Sequence, residues 1–136
     1  MLKLKRMGVL LLALVSPVAV FAGHHEQGEG IQPAASGGQV IVAYRVPCVA
    51  PAAGVAVLKE LIAYESSVAV VNYSSVATVL DDETVGAIDV HASTEAMQKA
   101  FAWQEQDEQW LAIQMRALGT CEAGISDIET SIHRAQ

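Results

Sequence analysis

The sequence has 136 residues, with 15 acidic and 8 basic side chains that give a net charge of −7. Its length suits a single domain built around one hydrophobic core. An acidic chain of this kind repels nucleic-acid phosphates and anionic lipids, so we set nucleic-acid binding aside.

The amino terminus has the pattern of a secretory signal peptide. Lys3, Lys5 and Arg6 precede an apolar run over residues 7–21, and the small residue Ala22 follows. We predict cleavage after Ala22 and export to the periplasm or the extracellular space. A retained membrane anchor is the alternative, but the run falls short of the roughly 20 apolar residues that a spanning helix needs. We therefore expect no stable membrane anchor after cleavage, and a net charge of −10 instead of −7 once the three basic residues are removed.

The segment after the signal peptide has the composition of a linker. Residues 23–39 are rich in glycine and contain scarcely any large apolar side chain, so they cannot compensate the entropy lost on ordering. We predict a flexible leader at residues 23–39 and one folded domain at residues 40–136.

The domain begins with a predicted strand and a predicted helix. The β-branched run Val40–Val46 is typical of a strand and ends at Pro47. After a loop at residues 48–51, residues 52–65 repeat apolar side chains at helical spacing, which predicts an amphipathic helix. Residues 66–73 fit neither pattern clearly.

A hairpin is predicted next. Residues 75–80 and 84–91 are strand-like runs, and the polar Asp81-Asp82-Glu83 between them favours a tight turn. The two strands should therefore pair.

The remaining elements are a long helical segment and a last strand. Ser93 is a typical N-cap, and we expect the helix to reach Leu118 and end at Gly119. Polar residues 104–108 interrupt its apolar stripe and predict a kink or break. Residues 125–133 alternate as a closing or edge strand does.

The element order defines the predicted fold class. The order β-α-β-β-α-β is that of the ferredoxin-like α+β fold, a four-stranded antiparallel sheet with helices on one face. The runs Val40–Ala43 and Val85–Ile88 are apolar or small on both faces, although a sheet face in water should be polar. We therefore expect a homodimer in which the helix-free faces of two subunits cover each other.

Two segments resemble a known family. They are the hairpin at residues 75–91 leading into Ser93-Thr94-Glu95-Ala96-Met97, and the acidic-then-Trp turn Asp107-Glu108-Gln109-Trp110-Leu111. With the element order, they make Val40 to Ile132 similar to the dimeric α+β barrel superfamily, which includes NIPSNAP-like and antibiotic-biosynthesis-monooxygenase-like proteins. The resemblance implies a dimeric barrel. It selects no activity and no cofactor, because that superfamily hosts cofactor-free oxygenases, haem-handling enzymes, isomerases and members of no assigned activity.

Asp89 and His91 are the candidate catalytic residues. Period-two spacing puts both on one face of the third strand, and likewise puts Glu129 and His133 on one face of the last. Two imidazoles and two carboxylates could bind a transition metal or transfer protons if they faced the barrel interior. The structural alternative is that the two pairs do not meet, because both strands flank the first strand.

A second candidate site depends on the cleavage position. A mature chain that begins Gly23-His24-His25 offers a free amine and a third-position histidine, which can bind Cu(II) or Ni(II) in a square-planar arrangement. An ordinary flexible terminus is the alternative.

Aromatic residues suggest a third site. Tyr44, Trp103 and Trp110, together with Tyr64, could line a pocket for a small apolar ligand. The alternative is that these rings are part of the core.

Cys48 and Cys121 are the only cysteines. In an exported chain they favour one structural disulfide, and the predicted topology brings both to the same end of the domain. Free thiols or a redox pair are the alternatives, although the C-x-x-C spacing of redox motifs is absent.

These observations leave three functions open. The first is a non-catalytic or ligand-binding dimeric barrel. The second is a small oxygenase- or isomerase-type enzyme with Asp89, His91 and a tryptophan inside the barrel. The third is a Cu or Ni binder that uses the mature amino terminus.

Overall fold

A computed structural model of the protein describes residues 33–68 and 72–136. The strands are β1 (Val40–Pro47), β2 (Tyr73–Asp81), β3 (Thr84–His91) and β4 (Glu129–Arg134), and the helices are α1 (Pro51–Val68), α2 (Thr94–Gln104) and α3 (Glu108–Cys121). A 3-10 turn, Ile125–Asp127, precedes β4. The predicted element order is confirmed, with two helices in the place of the second helical segment. The predicted signal peptide, most of the leader, and His24 and His25 lie outside the described residues.

The strands form one antiparallel sheet in the order β2-β3-β1-β4. In the central strand, Val42 pairs with Asp89 of β3 on one side and with Ile132 of β4 on the other. The first strand therefore lies between the third and the fourth, which is the ferredoxin-like arrangement.

The helices cover one face of this sheet. The core on that face includes Val40, Val42 and Val46 of β1 and Val85 of β3. Met97 of α2 packs on Val40 and Val42, whereas α1 and α3 pack near Val46 and Val85. Because the side chains along each strand alternate between faces, the next residues along β1 and β3 point away from the helices.

Two polar residues define the starts of α2 and α3. Ser93 Oγ accepts a hydrogen bond of 3.1 Å from the backbone N–H of Ala96, as predicted for the N-cap of α2. The interruption predicted at residues 104–108 is a complete helix break, at which Asp107 Oδ1 accepts a 2.8 Å bond from the N–H of Trp110. Asp107 is thus the N-cap of α3.

The predicted helix end at Gly119 is wrong. Helix α3 continues to Cys121, and Glu122 ends it in the left-handed conformation with φ 55°. The N–H of Ala123 bonds to the carbonyl oxygen of Leu118 at 3.0 Å, which is the closing bond of a Schellman motif. A glycine within a helix costs only about 1 kcal/mol relative to alanine, so tertiary contacts of the last turn can override it.

Cys48 and Cys121 form a disulfide, as predicted. It connects the loop after β1 to the last turn of α3, and both cysteines are buried. Gly54 of α1 packs directly against it: a Cβ atom at this position would lie 2.6 Å from Cys121 Sγ and 2.8 Å from Cys48 Sγ. The disulfide therefore links the end of β1 to α3, and α1 packs against it at the same end of the domain.

The segment before β1 contacts the carboxyl terminus. The N–H of Gly38 donates to the carbonyl of Ala135 at 3.0 Å, and the N–H of Ala135 donates to the carbonyl of Gln39 at 2.9 Å. Within residues 33–68 and 72–136, no helix is both long enough and apolar enough to cross a membrane.

Candidate functional site

A cavity of about 400 Å³ lies between the helix-covered face of the sheet and the helices. Most of its walls are apolar and come from β1, β3 and all three helices, including Val46, Leu58, Leu61, Val85 and Phe101. Its volume falls in the range of small-molecule pockets, which combine apolar walls with a few polar groups.

Asp89 is the most deeply buried carboxylate of the cavity wall, with 5% of its surface exposed. Its Oδ1 accepts a 2.6 Å hydrogen bond from Ser75 Oγ on the neighbouring strand β2. Burial raises the pKa of Asp89 to about 7; the Ser75 hydrogen bond opposes this shift and the negative charge of Glu65 adds to it. Asp89 can therefore both take up and release a proton near neutral pH.

An irregularity in β2 places Ser75 beside Asp89. The register changes between Val79 and Asp81, so that Asp81 pairs with Thr84 but Ser75 pairs with Asp89. If the register at the turn continued along β2 without this shift, Ser75 would lie opposite Val90. The Ser75 side chain would then point to the other face of the sheet. The bulge thus supplies the hydrogen bond to the carboxylate.

Glu65 is a second carboxylate in the cavity wall, near the end of α1. Its Oε1 accepts a 2.7 Å hydrogen bond from the indole N–H of Trp110 on α3. Tyr44 of β1 also lines the cavity, and burial, Asp89 and Glu65 together raise the pKa of its hydroxyl far above the ordinary value. Tyr44 is therefore a neutral hydrogen-bonding group at physiological pH.

His91 lies two residues after Asp89 on the same face of β3, but it is not part of the cavity wall. Its side chain is fully buried, and neither ring nitrogen has a hydrogen-bond partner among the described residues. The ring packs against Tyr73, with centroids 4.7 Å apart, and against the edge of Phe101 at 6.1 Å. Burial lowers the pKa of His91, so the imidazole is held neutral.

The two tryptophans have different environments. Trp110 lines the cavity, as does Tyr44, whereas Trp103 does not. Trp103 packs on Tyr64 with ring centroids 6.4 Å apart. The Tyr64 hydroxyl donates to Asp107 at 2.9 Å, so this pair supports the start of α3.

Glu129 and His133 do not join Asp89 and His91. They pair with Arg45 and Ile41, whereas Asp89 and His91 pair with Val42 and Val40 on the opposite face. Both β4 residues are exposed. Among the residues that the structure describes, no three His, Cys, Asp or Glu side chains are grouped to hold a metal ion.

Glu65, Ser75 and Gln104 were not predicted as site residues. They line the cavity from α1, β2 and α2, and Gln104 Nε2 donates to the Tyr73 hydroxyl at 3.0 Å. Gln104 was recognisable only as part of a polar interruption in a helix, and Ser75 as one of several strand serines. Their convergence depends on packing between elements that are distant in sequence.

Comparisons with known proteins agree with this architecture. No family model and no curated protein matches the chain. The chain is similar to the crystal structure of a mutant of SnoaB, a cofactor-independent oxygenase from Streptomyces nogalater, with a TM-score of 0.51 and 18% identity over 73% of this chain and 94% of that one. It is also similar to a conserved protein of unknown function from Bacteroides thetaiotaomicron, described as a possible oxidoreductase, with a TM-score of 0.43 and 11% identity over 74% and 98% of the two chains. The likeness to SnoaB supports the α+β fold. Membership of the dimeric α+β barrel superfamily and the narrower NIPSNAP-like assignment stay predictions.

Proposed function

We propose that the protein binds a small, predominantly apolar molecule in the cavity between its sheet and its helices. The observation that carries this proposal is an apolar cavity of about 400 Å³ with a buried carboxylate, Asp89, in its wall. Oδ1 of Asp89 is bonded to Ser75, whereas no hydrogen bond to Oδ2 is formed by the described residues. Oδ2 is not one of the buried atoms that lack a partner, so it is accessible and free to accept a hydrogen bond from a ligand. A ligand that fills the cavity and donates to Oδ2 avoids the cost of burying this oxygen without a partner.

A fluorescence titration tests the binding proposal, because Trp110 lines the cavity. We expect 1-naphthalenemethanol, a bicyclic apolar molecule with one hydroxyl, to change the tryptophan emission saturably with one site per chain. Ala87 is a small residue of the cavity wall, so Ala87→Phe should fill the cavity and abolish saturation. Ala102→Phe, on the exposed face of α2, is the matched control. Equal binding by both variants would show that the probe binds elsewhere.

Proton abstraction by Asp89 is a second candidate function. Its pKa of about 7 is close to the value at which a general base works best at neutral pH. SnoaB, which has a similar fold, is a cofactor-independent oxygenase. In this function Asp89 takes a proton from the bound substrate, and Tyr44 and Trp110 orient the substrate. His91 does not line the cavity and has no part in this step.

An oxygen-consumption assay tests this second function. With 1-naphthol as the probe, wild-type protein should consume oxygen faster than buffer, and Asp89→Asn should reduce the rate to that of buffer. Asp82→Asn, in the exposed hairpin turn, should retain the wild-type rate. A rate that is equal in the two variants would contradict a role for Asp89 in catalysis.

We further propose that two copies associate through their helix-free sheet faces. Val76 and Ile88 lie opposite each other on that face and are 53% and 38% exposed. Exposed apolar side chains that lie together on a sheet face are typical of a subunit interface, and two-fold dimers are the commonest assembly.

A matched pair of substitutions tests the dimer. Val76 and Val79 lie on the same edge strand and are 53% and 55% exposed, but they point to opposite faces. Light scattering during gel filtration should give twice the chain mass for wild type and for Val79→Lys, and the single chain mass for Val76→Lys. Dimers in both variants would contradict the proposed interface.

Export remains a proposal, based on the predicted signal peptide and on the disulfide, since disulfides persist in oxidising compartments. Mass spectrometry of the protein from a periplasmic extract should give a chain that begins at Gly23. The same cleavage position is a condition for the copper or nickel site at His24 and His25.

A further inference from the structure

The charged residues of the cavity wall are all acidic. Glu65, Asp89 and Glu105 line the cavity, and none of the described lining residues is Lys, Arg or His. A cavity of this composition attracts a cation and repels an anion.

The two inner carboxylates are held in place by neutral donors. Ser75 Oγ donates to Asp89 Oδ1 at 2.6 Å, and the Trp110 indole N–H donates to Glu65 Oε1 at 2.7 Å. Neither donor neutralises the negative charge, and Glu65 electrostatically disfavours ionisation of Asp89. With 95% of its surface buried, Asp89 gains more from a cationic partner than a carboxylate in water does.

Aromatic rings complete the surroundings of these carboxylates. Tyr44, Phe101 and Trp110 are all part of the cavity wall. The face of an aromatic ring attracts an ammonium group, and tryptophan attracts it most strongly. Combined aromatic and carboxylate groups therefore recognise an organic cation, and the aliphatic walls accommodate its hydrocarbon body.

We propose that the ligand class of this cavity is the hydrophobic amine, whose ammonium group binds Asp89 Oδ2 and Glu65 beside the rings of Tyr44 and Trp110. This inference rests on the proposed ligand-binding function and adds the charge of the ligand to it. It also distinguishes this site from one that binds a phenolate or a carboxylate anion, which the two acidic side chains would repel.

Three probes of nearly equal shape separate these possibilities on the wild-type protein. They are 1-naphthalenemethylamine, 1-naphthalenemethanol and 1-naphthoate, which are cationic, neutral and anionic at pH 8. We expect the amine to bind about tenfold more tightly than the alcohol, because it adds a charge-assisted hydrogen bond and a cation–π contact. The carboxylate should bind most weakly.

The outcomes separate the two proposals. If the alcohol or the carboxylate binds as tightly as the amine, the amine class is wrong while the apolar cavity still binds ligands. If none of the probes binds saturably, the proposed function itself fails.

Substitutions locate the selectivity. Asp89→Asn keeps the size of the side chain and an acceptor for Ser75, and should reduce the affinity for the amine to that for the alcohol without changing the latter. Glu65→Gln provides an independent variant on another element and should also lower the amine preference. Asp82→Asn in the exposed turn controls for the change in net charge. Unchanged selectivity in both cavity variants would overturn the assignment of the cation to these carboxylates.

Discussion

Replacing Asp89 by asparagine should remove a pH dependence of the stability of this protein. The pKa of Asp89 rises from 3.8 to about 7 on folding, mainly through burial. Between these values the unfolded chain releases the proton while the folded protein retains it, so the free energy of unfolding falls as the pH rises from about 4 to about 7. Well above pH 7 the carboxyl is ionised in both states and the loss is complete.

The magnitude follows from the size of the shift. About three pKa units correspond to roughly 4 kcal/mol at about 1.4 kcal/mol per unit. Asparagine resembles the protonated aspartate, keeps an acceptor for Ser75 and does not titrate. The stability of wild type minus that of Asp89→Asn should therefore fall by roughly 4 kcal/mol between pH 4 and pH 8.

Urea denaturation of both proteins, followed by tryptophan fluorescence at several pH values, measures this difference. Titration of His91 and of the other carboxylates affects both proteins alike and largely cancels in the subtraction. Asp82→Asn, in the exposed turn, controls for the loss of one carboxylate. A difference for Asp89→Asn that varies no more with pH than the difference for Asp82→Asn would refute the argument that burial raises the pKa of Asp89.

Three further substitutions test the fold. Gly86→Ala should destabilise the protein by about 2 kcal/mol or more in urea denaturation, because its Cβ would lie 2.0 Å from the backbone oxygen of Tyr44; stability equal to wild type would contradict this close approach. Glu122→Gly should stabilise the protein by about 1 kcal/mol, measured as a higher urea midpoint, because glycine adopts φ 55° without a steric cost; a lower midpoint would contradict this. Cys121→Ser should lower the free energy of unfolding by up to about 4 kcal/mol, since the bond to Cys48 closes a loop of 73 residues. A reductant should not destabilise this variant further. A further loss of stability on reduction would show that the disulfide is not the cause.

Local sequence signals were sufficient for the order and type of the elements. The β-branched run that forms β1, the hairpin with its polar turn and the N-cap Ser93 each depend on interactions within a few residues. Such local interactions can be predicted from a single sequence. The pairing of Cys48 with Cys121 was also predictable, because the chain has two cysteines and the element order brings them to one end.

Asp89, Tyr44 and Trp110 were named from the sequence and line the cavity, but only the tertiary structure brought Glu65 and Ser75 to them. The bulge in β2 determines that Ser75 faces Asp89, and a shift of one residue would have reversed its direction. Glu65 reaches the cavity because α1 packs on α3, where Trp110 donates to it. The sequence by itself determined which segments are strands and helices, since that depends on backbone preference and periodicity. Which polar side chains meet depends on register and on helix packing, which are set by the whole folded chain.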